Sequence, residues 1–350
     1  MRARRTLVVV LLTVAAAAAL PEAQGDGGYT LVPNWIRMPA HVPAFGPGKV
    51  FLPPGPREEE DARKRKAGIR ELVEAQPGIG GIAVDAQDRL YVLQRRAELP
   101  IMVFDSDGRY LHGGGGDIFS QDSHFVEVDR EGNVWGVDRE NQRIIKYNNR
   151  LDTILMVLGT KGVPGCDATH FNRPTDMAFL SNGDIIVTDG YINNRVVKYS
   201  KDGTFIKSWG GCGLEGAGSG DGQLKLSHAV EIDKNDTLYV VDRENKRIVV
   251  FDKDGKFLRN ITTAGYAWGI ALSPDHQFLF ATDHDTETVT KVRISDGQLV
   301  ARFGLGKGWG PGQFDWAHGI AVDSKGTVYV SETYGARLQK YVPSGAAGQP

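Results

Sequence analysis

A short string recurs six times along the chain, and this repeat restricts the fold more than any other feature. Ile82-Ala83-Val84-Asp85, a turn and Leu90-Tyr91-Val92-Leu93 return as Val126-Glu127-Val128-Asp129 with Val134-Trp135-Gly136-Val137, and again from Met177, Val230, Ile270 and Ile320. The copies start 44, 51, 53, 40 and 50 residues apart. Within them, short runs of alternating apolar and polar residues are separated by turn pairs such as Asn182-Gly183, Asp202-Gly203, Asp254-Gly255 and Asp296-Gly297. Period-two runs joined by such pairs are antiparallel hairpins, so each copy predicts a four-stranded meander. One meander cannot bury both of its faces; six packed side by side can, and closing them into a ring leaves only short, protected edges. The expected fold is all-β, a six-bladed β-propeller over residues 80–345.

What precedes the repeats is of a different kind. Arg2, Arg4 and Arg5, an apolar run from Leu7 to Leu20, then Pro21-Glu22-Ala23 have the order of a secretory signal, expected to be removed from residues 1–23. No later stretch is apolar over the roughly 18 residues a spanning helix needs, so the mature chain is expected to be secreted or periplasmic, without a membrane span. Residues 24–79 form an extension: Tyr29-Thr30-Leu31-Val32 can add the outer strand of the last blade, and Arg57 to Ala75 reads as a charged, solvated helix. Residues 346–350 read as a disordered tail. Lys+Arg 41 against Asp+Glu 43, a net charge of −2, gives no long-range pull on nucleic acid.

The histidines carry the chemistry. His124, His228 and His318 each lie two residues before Val126, Val230 and Ile320, the same slot at the start of the innermost strand of blades two, four and six. Alternate blades of a sixfold ring are related by pseudo-threefold rotation, so the three imidazoles should meet near the axis as a His₃ metal site. A lone histidine in that slot would be an ordinary structural group, but Gly80, Thr175 and Trp268 fill it in the other blades, so folding does not demand His there. Three imidazoles suit zinc and leave a coordination position for water or substrate; ligand type alone also admits copper or iron. His41, His112, His170, His276 and His284 share no such register.

Two more residues fall on the same face: Arg95, after the second strand of blade one, and Tyr191, in the loop after the second strand of blade three. Position alone is weak evidence, because Arg139 and Arg243 fill the slot of Arg95 in other blades and Tyr334 that of Tyr191.

Asp138-Arg139-Glu140-Asn141 with Arg143, Asp189 with Asn194-Arg195, Asp242-Arg243-Glu244-Asn245 with Arg247, and Glu332 with Arg337 resemble the NHL repeat family. That likeness speaks for the fold and says little about function. Arg95, His124, Tyr191, His228 and His318, together with His170-Phe171-Asn172-Arg173-Pro174-Thr175-Asp176 and Val187-Thr188-Asp189-Gly190-Tyr191, resemble peptidyl-α-hydroxyglycine α-amidating lyase over about residues 80–341. The resemblance implies zinc on the three histidines, catalysis by Tyr191 and Arg95, and a peptide or small α-hydroxy-amide substrate cleaved to an amide and glyoxylate. Arg95 would bind the carboxylate or stabilise a deprotonated Tyr191.

Several positions depart from that family. Gly319 stands where its animal members carry a calcium-binding Asp, so calcium is not carried over. Trp316 replaces a Met, and Asn172 and Ile192 occupy two cysteine positions. Cys166 and Cys212 are the only cysteines; a disulfide between them and a pair of loop thiols are equal readings. The alternative to a lyase is a non-catalytic propeller that holds a structural metal and presents its loops to a protein or glycan. A lactone hydrolase or streptogramin-type lyase is a third reading, against which the alternating histidines speak.

Overall fold

A computed structural model describes residues 27–42, 45, 78–116 and 118–344. The signal segment, the charged helix expected over 57–75 and the tail after 345 lie outside the described residues.

Six antiparallel four-stranded sheets follow one another around a ring, all of β structure. The innermost strands, in blade order, are Ile79–Val84, Ser123–Val128, Asp176–Phe179, Ser227–Ile232, Ala267–Leu272 and Ala317–Val322. Tyr29–Val32 pairs with Leu338–Pro343, register Tyr29↔Pro343 to Val32↔Lys340, so the outer strand of blade six comes from the start of the chain.

The repeat has a local physical cause. Asp85 accepts the backbone N–H groups of Gln87 and Arg89 at 2.9 Å each, which folds the turn, while its other oxygen accepts the Tyr91 hydroxyl at 3.1 Å. Asp233 with Tyr239 and Asp323 with Tyr329 repeat this arrangement, and in blade two the Trp135 indole N–H binds Asp129 at 3.0 Å. Asx turns of this kind satisfy backbone donors that the hairpin leaves unpaired. The second strand of each blade is buried almost throughout, for example Leu90–Gln94 and Leu238–Asp242, and the Val, Leu, Ile and Tyr side chains of these strands fill the space between neighbouring blades.

A second recurring device fixes the mouth of the ring. In blade four the buried Asp242 accepts Asn245 Nδ2 and Arg247 Nε at 2.7 Å each and the Lys225 backbone N–H at 2.5 Å. Asp138 and Asp189 do the same work in blades two and three. In blade three the amide on the carboxylate belongs to Asn193, at 2.7 Å, whereas Asn194 turns to Gly213 and Leu226. Each carboxylate thereby ties the loop after the second strand to the segment that leads into the first.

Candidate functional site

The inner strands carry one irregularity that aims their side chains. Between Ser123 and Val126 the pairing with the next strand shifts register: Ser123 faces Asp138 and Val126 faces Gly136, so one extra residue is accommodated. The same shift occurs between Ser227 and Val230, Ala267 and Ile270, and Ala317 and Ile320. A β-bulge at the start of each strand breaks the strict alternation and re-aims the side chain that follows Ser123, Ser227 and Ala317.

Those side chains are His124, His228 and His318, each at most 2% exposed. Their rings form a nearly equilateral triangle, with centroids 4.8, 4.8 and 5.2 Å apart. One ligand nitrogen from each lies within 4.8 Å of the others. His124 Nδ1 donates to the Thr175 carbonyl at 2.7 Å and His228 Nδ1 to the Trp268 carbonyl at 2.6 Å. A carbonyl can only accept, so both rings carry hydrogen on Nδ1 and a lone pair on Nε2 when neutral. Thr175 and Trp268 are the slot residues of the following blades, and His318 is drawn likewise to the Gly80 backbone, although its Nδ1 falls short of hydrogen-bond geometry. Burial holds all three rings well below the ordinary imidazole value, reinforced by neighbouring imidazoles for His124 and by Arg243 and Arg95 for His228 and His318.

The Tyr191 hydroxyl stands 3.2 Å from Nε2 of both His124 and His228. It has one proton to donate, so it cannot satisfy both lone pairs. Buried imidazole lone pairs outnumbering their donors are a donor set suited to a cation, and a tetrahedral ion would draw the nitrogens to roughly 3.4 Å apart at bond lengths of about 2.0–2.1 Å. The residues present fit a metal ion. Beside them Phe125 is stacked on His318 with centroids 5.0 Å apart.

Positive charge surrounds the tyrosine. Arg139 lies over the Tyr191 ring at 4.3 Å, Arg243 at 5.4 Å and Arg173 at 5.9 Å. Arg95 is buried, donates from Nε to the Ser123 carbonyl at 3.2 Å, and acts electrostatically on Tyr191 and His318. One carboxylate serves three of these groups. Asp122 pairs with both forks of Arg139, with Arg173 at 3.0 Å and with Arg95 at 3.7 Å. Burial raises its pKa, but Arg139 and Arg95 outweigh that and hold it below the usual carboxylate range.

Of the residues singled out from the sequence, the three histidines and Tyr191 stand together, and Arg95 sits behind them on Asp122. Cys166 and Cys212 are joined, with Cα atoms 5.8 Å apart. Sequence reasoning missed Asp122 and the placement of Arg139 and Arg243 against the Tyr191 ring. It also missed His284, whose ring stands 4.7 Å from that of Trp268. The available signal was positional, since Arg139 and Arg243 share the slot of Arg95 and Asp122 lies two residues before His124.

The NHL repeat family model matches residues 171–199 and 314–341. Rat peptidylglycine alpha-amidating monooxygenase is 32% identical over 274 residues, 73% of this chain and 27% of that protein. The chain therefore spans under a third of the length of such a relative. Mouse NHL repeat-containing protein 3 is 30% identical over 285 residues, 75% of this chain and 78% of that protein. The Caenorhabditis elegans probable peptidyl-alpha-hydroxyglycine alpha-amidating lyase is 26% identical, with 68% of each chain covered. Among solved structures, a streptogramin B lyase covers 77% of this chain, with 95% of its own length matched, at a TM-score of 0.52 and 14% identity, which shows a shared fold alone.

Proposed function

Since the chain belongs to the NHL-repeat β-propeller family as a protein similar to peptidyl-α-hydroxyglycine α-amidating lyase, we propose that it is an exported, zinc-dependent carbon–nitrogen lyase. Its substrate is an acyl-NH-CH(OH)-COO⁻ carbinolamide, cleaved to an amide and glyoxylate. The observation that carries this reading is the Tyr191 hydroxyl 3.2 Å from two imidazoles of the alternating His₃ set.

His124, His228 and His318 would hold the metal, which when bound supplies the Lewis acidity that makes an α-hydroxyl a stronger acid. The protein does the rest. Arg95, fixed by Ser123 and Asp122, draws the substrate carboxylate by its positive charge and so orients the α-carbon over the triad. Tyr191 relays one proton: its hydroxyl donates to the departing amide nitrogen, and the phenolate oxygen so formed takes the α-hydroxyl proton and restores the phenol. The C–N bond breaks as the C–O bond becomes a carbonyl, so no oxidant and no added water is consumed. Arg139, stacked on the phenol ring, steadies negative charge that develops on the Tyr191 oxygen.

Purified protein should hold about one zinc per chain by elemental analysis and release glyoxylate from α-hydroxyhippurate, with activity lost in His228→Ala and largely lost in Tyr191→Phe. Zinc retained without glyoxylate release sinks the lyase reading. It would favour a binding propeller with a structural ion, a role compatible with the likeness to NHL repeat-containing protein 3.

A further inference from the structure

The mouth of the ring has two unlike halves. Blades one to four contribute Arg95, Arg139, Arg173, Arg243 and Tyr191, described above. Blades five and six contribute aromatic rings in continuous contact. Trp268 stands 5.4 Å from His228 and 5.6 Å from His318 by ring centroids, Trp316 5.1 Å from Trp268, and Tyr334 4.5 Å from Trp316. His284 closes the group, 4.7 Å from Trp268 and 4.5 Å from Trp316. Trp268 is 6% exposed, while Trp316, Tyr334 and His284 are half-buried and open toward solvent.

Trp316 has φ +66°, the left-handed conformation that Arg173 and Leu226 share at the same position of blades three and four, so the repeat itself sets its direction. One observation suggests that this wall receives something. The buried Trp268 Nε1 has no hydrogen-bond partner among the described residues, leaving an indole N–H for a ligand oxygen. Its indole ring is also covered by the Arg243 guanidinium at 4.4 Å, so Trp268 forms the seam between the charged half and the aromatic half.

We propose that this aromatic wall is an acyl subsite, and that the substrate is an N-acyl-α-hydroxyglycine whose acyl group is a flat aromatic ring. This rests on the lyase reading above. Blade six packs against blade one and Tyr334 lies within electrostatic reach of Arg95, so a carboxylate held on the Arg95 side leaves the rest of the molecule to lie along the wall of blades five and six. There Trp316 and Tyr334 stack on the ring and Trp268 Nε1 donates to the acyl carbonyl.

The test compares benzoyl with acetyl at two levels. Glyoxylate release is measured from α-hydroxyhippurate and N-acetyl-α-hydroxyglycine, and binding of the unreactive hippurate and N-acetylglycine is followed by quenching of tryptophan fluorescence. Benzoyl should be favoured about tenfold in both readouts. Trp316→Gly, which suits the left-handed backbone, and Tyr334→Leu should each reduce the preference to under about threefold while turnover of the acetyl substrate persists. Equal handling of the two acyl groups by the unmodified protein, or a preference untouched in both variants, overturns the subsite. Preferential hippurate binding with no glyoxylate from either substrate supports the subsite and overturns the lyase reading instead.

Discussion

The guanidinium of Arg139 lies 4.3 Å from the centre of the Tyr191 ring while its two forks grip Asp122. A cation fixed against a phenol face is worth about 0.5–2 kcal/mol depending on desolvation. Arg139→Gln removes that charge and leaves Arg173 and Arg95 on Asp122. Expected is a fall in kcat of roughly 3- to 30-fold with zinc content and KM nearly unchanged, measured by glyoxylate release and elemental analysis. A rise in KM at constant kcat would instead assign Arg139 to substrate binding.

Metal removal should be visible without any substrate. An ion bound only by the folded ring stabilises it by about 4 kcal/mol when free metal stands near a thousand times Kd. A strong chelator should therefore lower Tm, added zinc should restore it, and His228→Ala should abolish the difference between the two conditions. Differential scanning calorimetry in chelator and in zinc buffer reads this directly.

Three carboxyl groups on neighbouring inner strands, Glu127, Asp176 and Glu231, interact by like-charge repulsion. Burial first, then Asp176, pushes Glu231 up to about 8, and burial raises Asp176 to about 7. A carboxyl whose folded pKa is raised costs stability as pH climbs from its unfolded value through its folded one. For Glu231 that window runs from about 4.5 to about 8. Glu231→Gln should accordingly raise Tm by roughly 2 °C at pH 8.5 and by less at pH 5.5. Equal gains at both values would show that Glu231 is not protonated in the folded protein.

The disulfide reaches the tyrosine loop through one side chain. Asn193 Nδ2 donates to the Gly165 carbonyl at 2.8 Å and Asn193 Oδ1 accepts the Gly213 N–H at 2.9 Å, so it bridges the neighbours of Cys166 and Cys212. Closing a 46-residue span contributes up to roughly 4 kcal/mol by chain entropy. Changing both cysteines to Ser should lower Tm and, by loosening the loop, reduce kcat by roughly tenfold while zinc stays bound. A lower Tm with unchanged kcat would limit the bridge to stability.

The blades are legible in the sequence because each repeat carries its own hairpin chemistry: Asp85 with Tyr91 and Asp233 with Tyr239 are local pairs whose spacing is printed in the chain. The shared slot of His124, His228 and His318 is legible for the same reason. The bulge that aims them is not, since a period-two pattern does not reveal one extra residue between Ser123 and Val126. Nor is the convergence of Arg139 and Arg243 on Tyr191, because each looks like a repeat-filling residue until neighbouring blades are set around an axis. Trp268 occupies the histidine slot of blade five, yet only the packed rings link it to His284.

Thr30 and Ser344 touch across 314 positions of chain, at the joint where the first described strand meets the last. His318 belongs to the sheet that this joint completes. A ribosome must therefore read past His318 and the strands after it before all three imidazoles can face one another, and shorter nascent chains offer a metal ion no complete cradle.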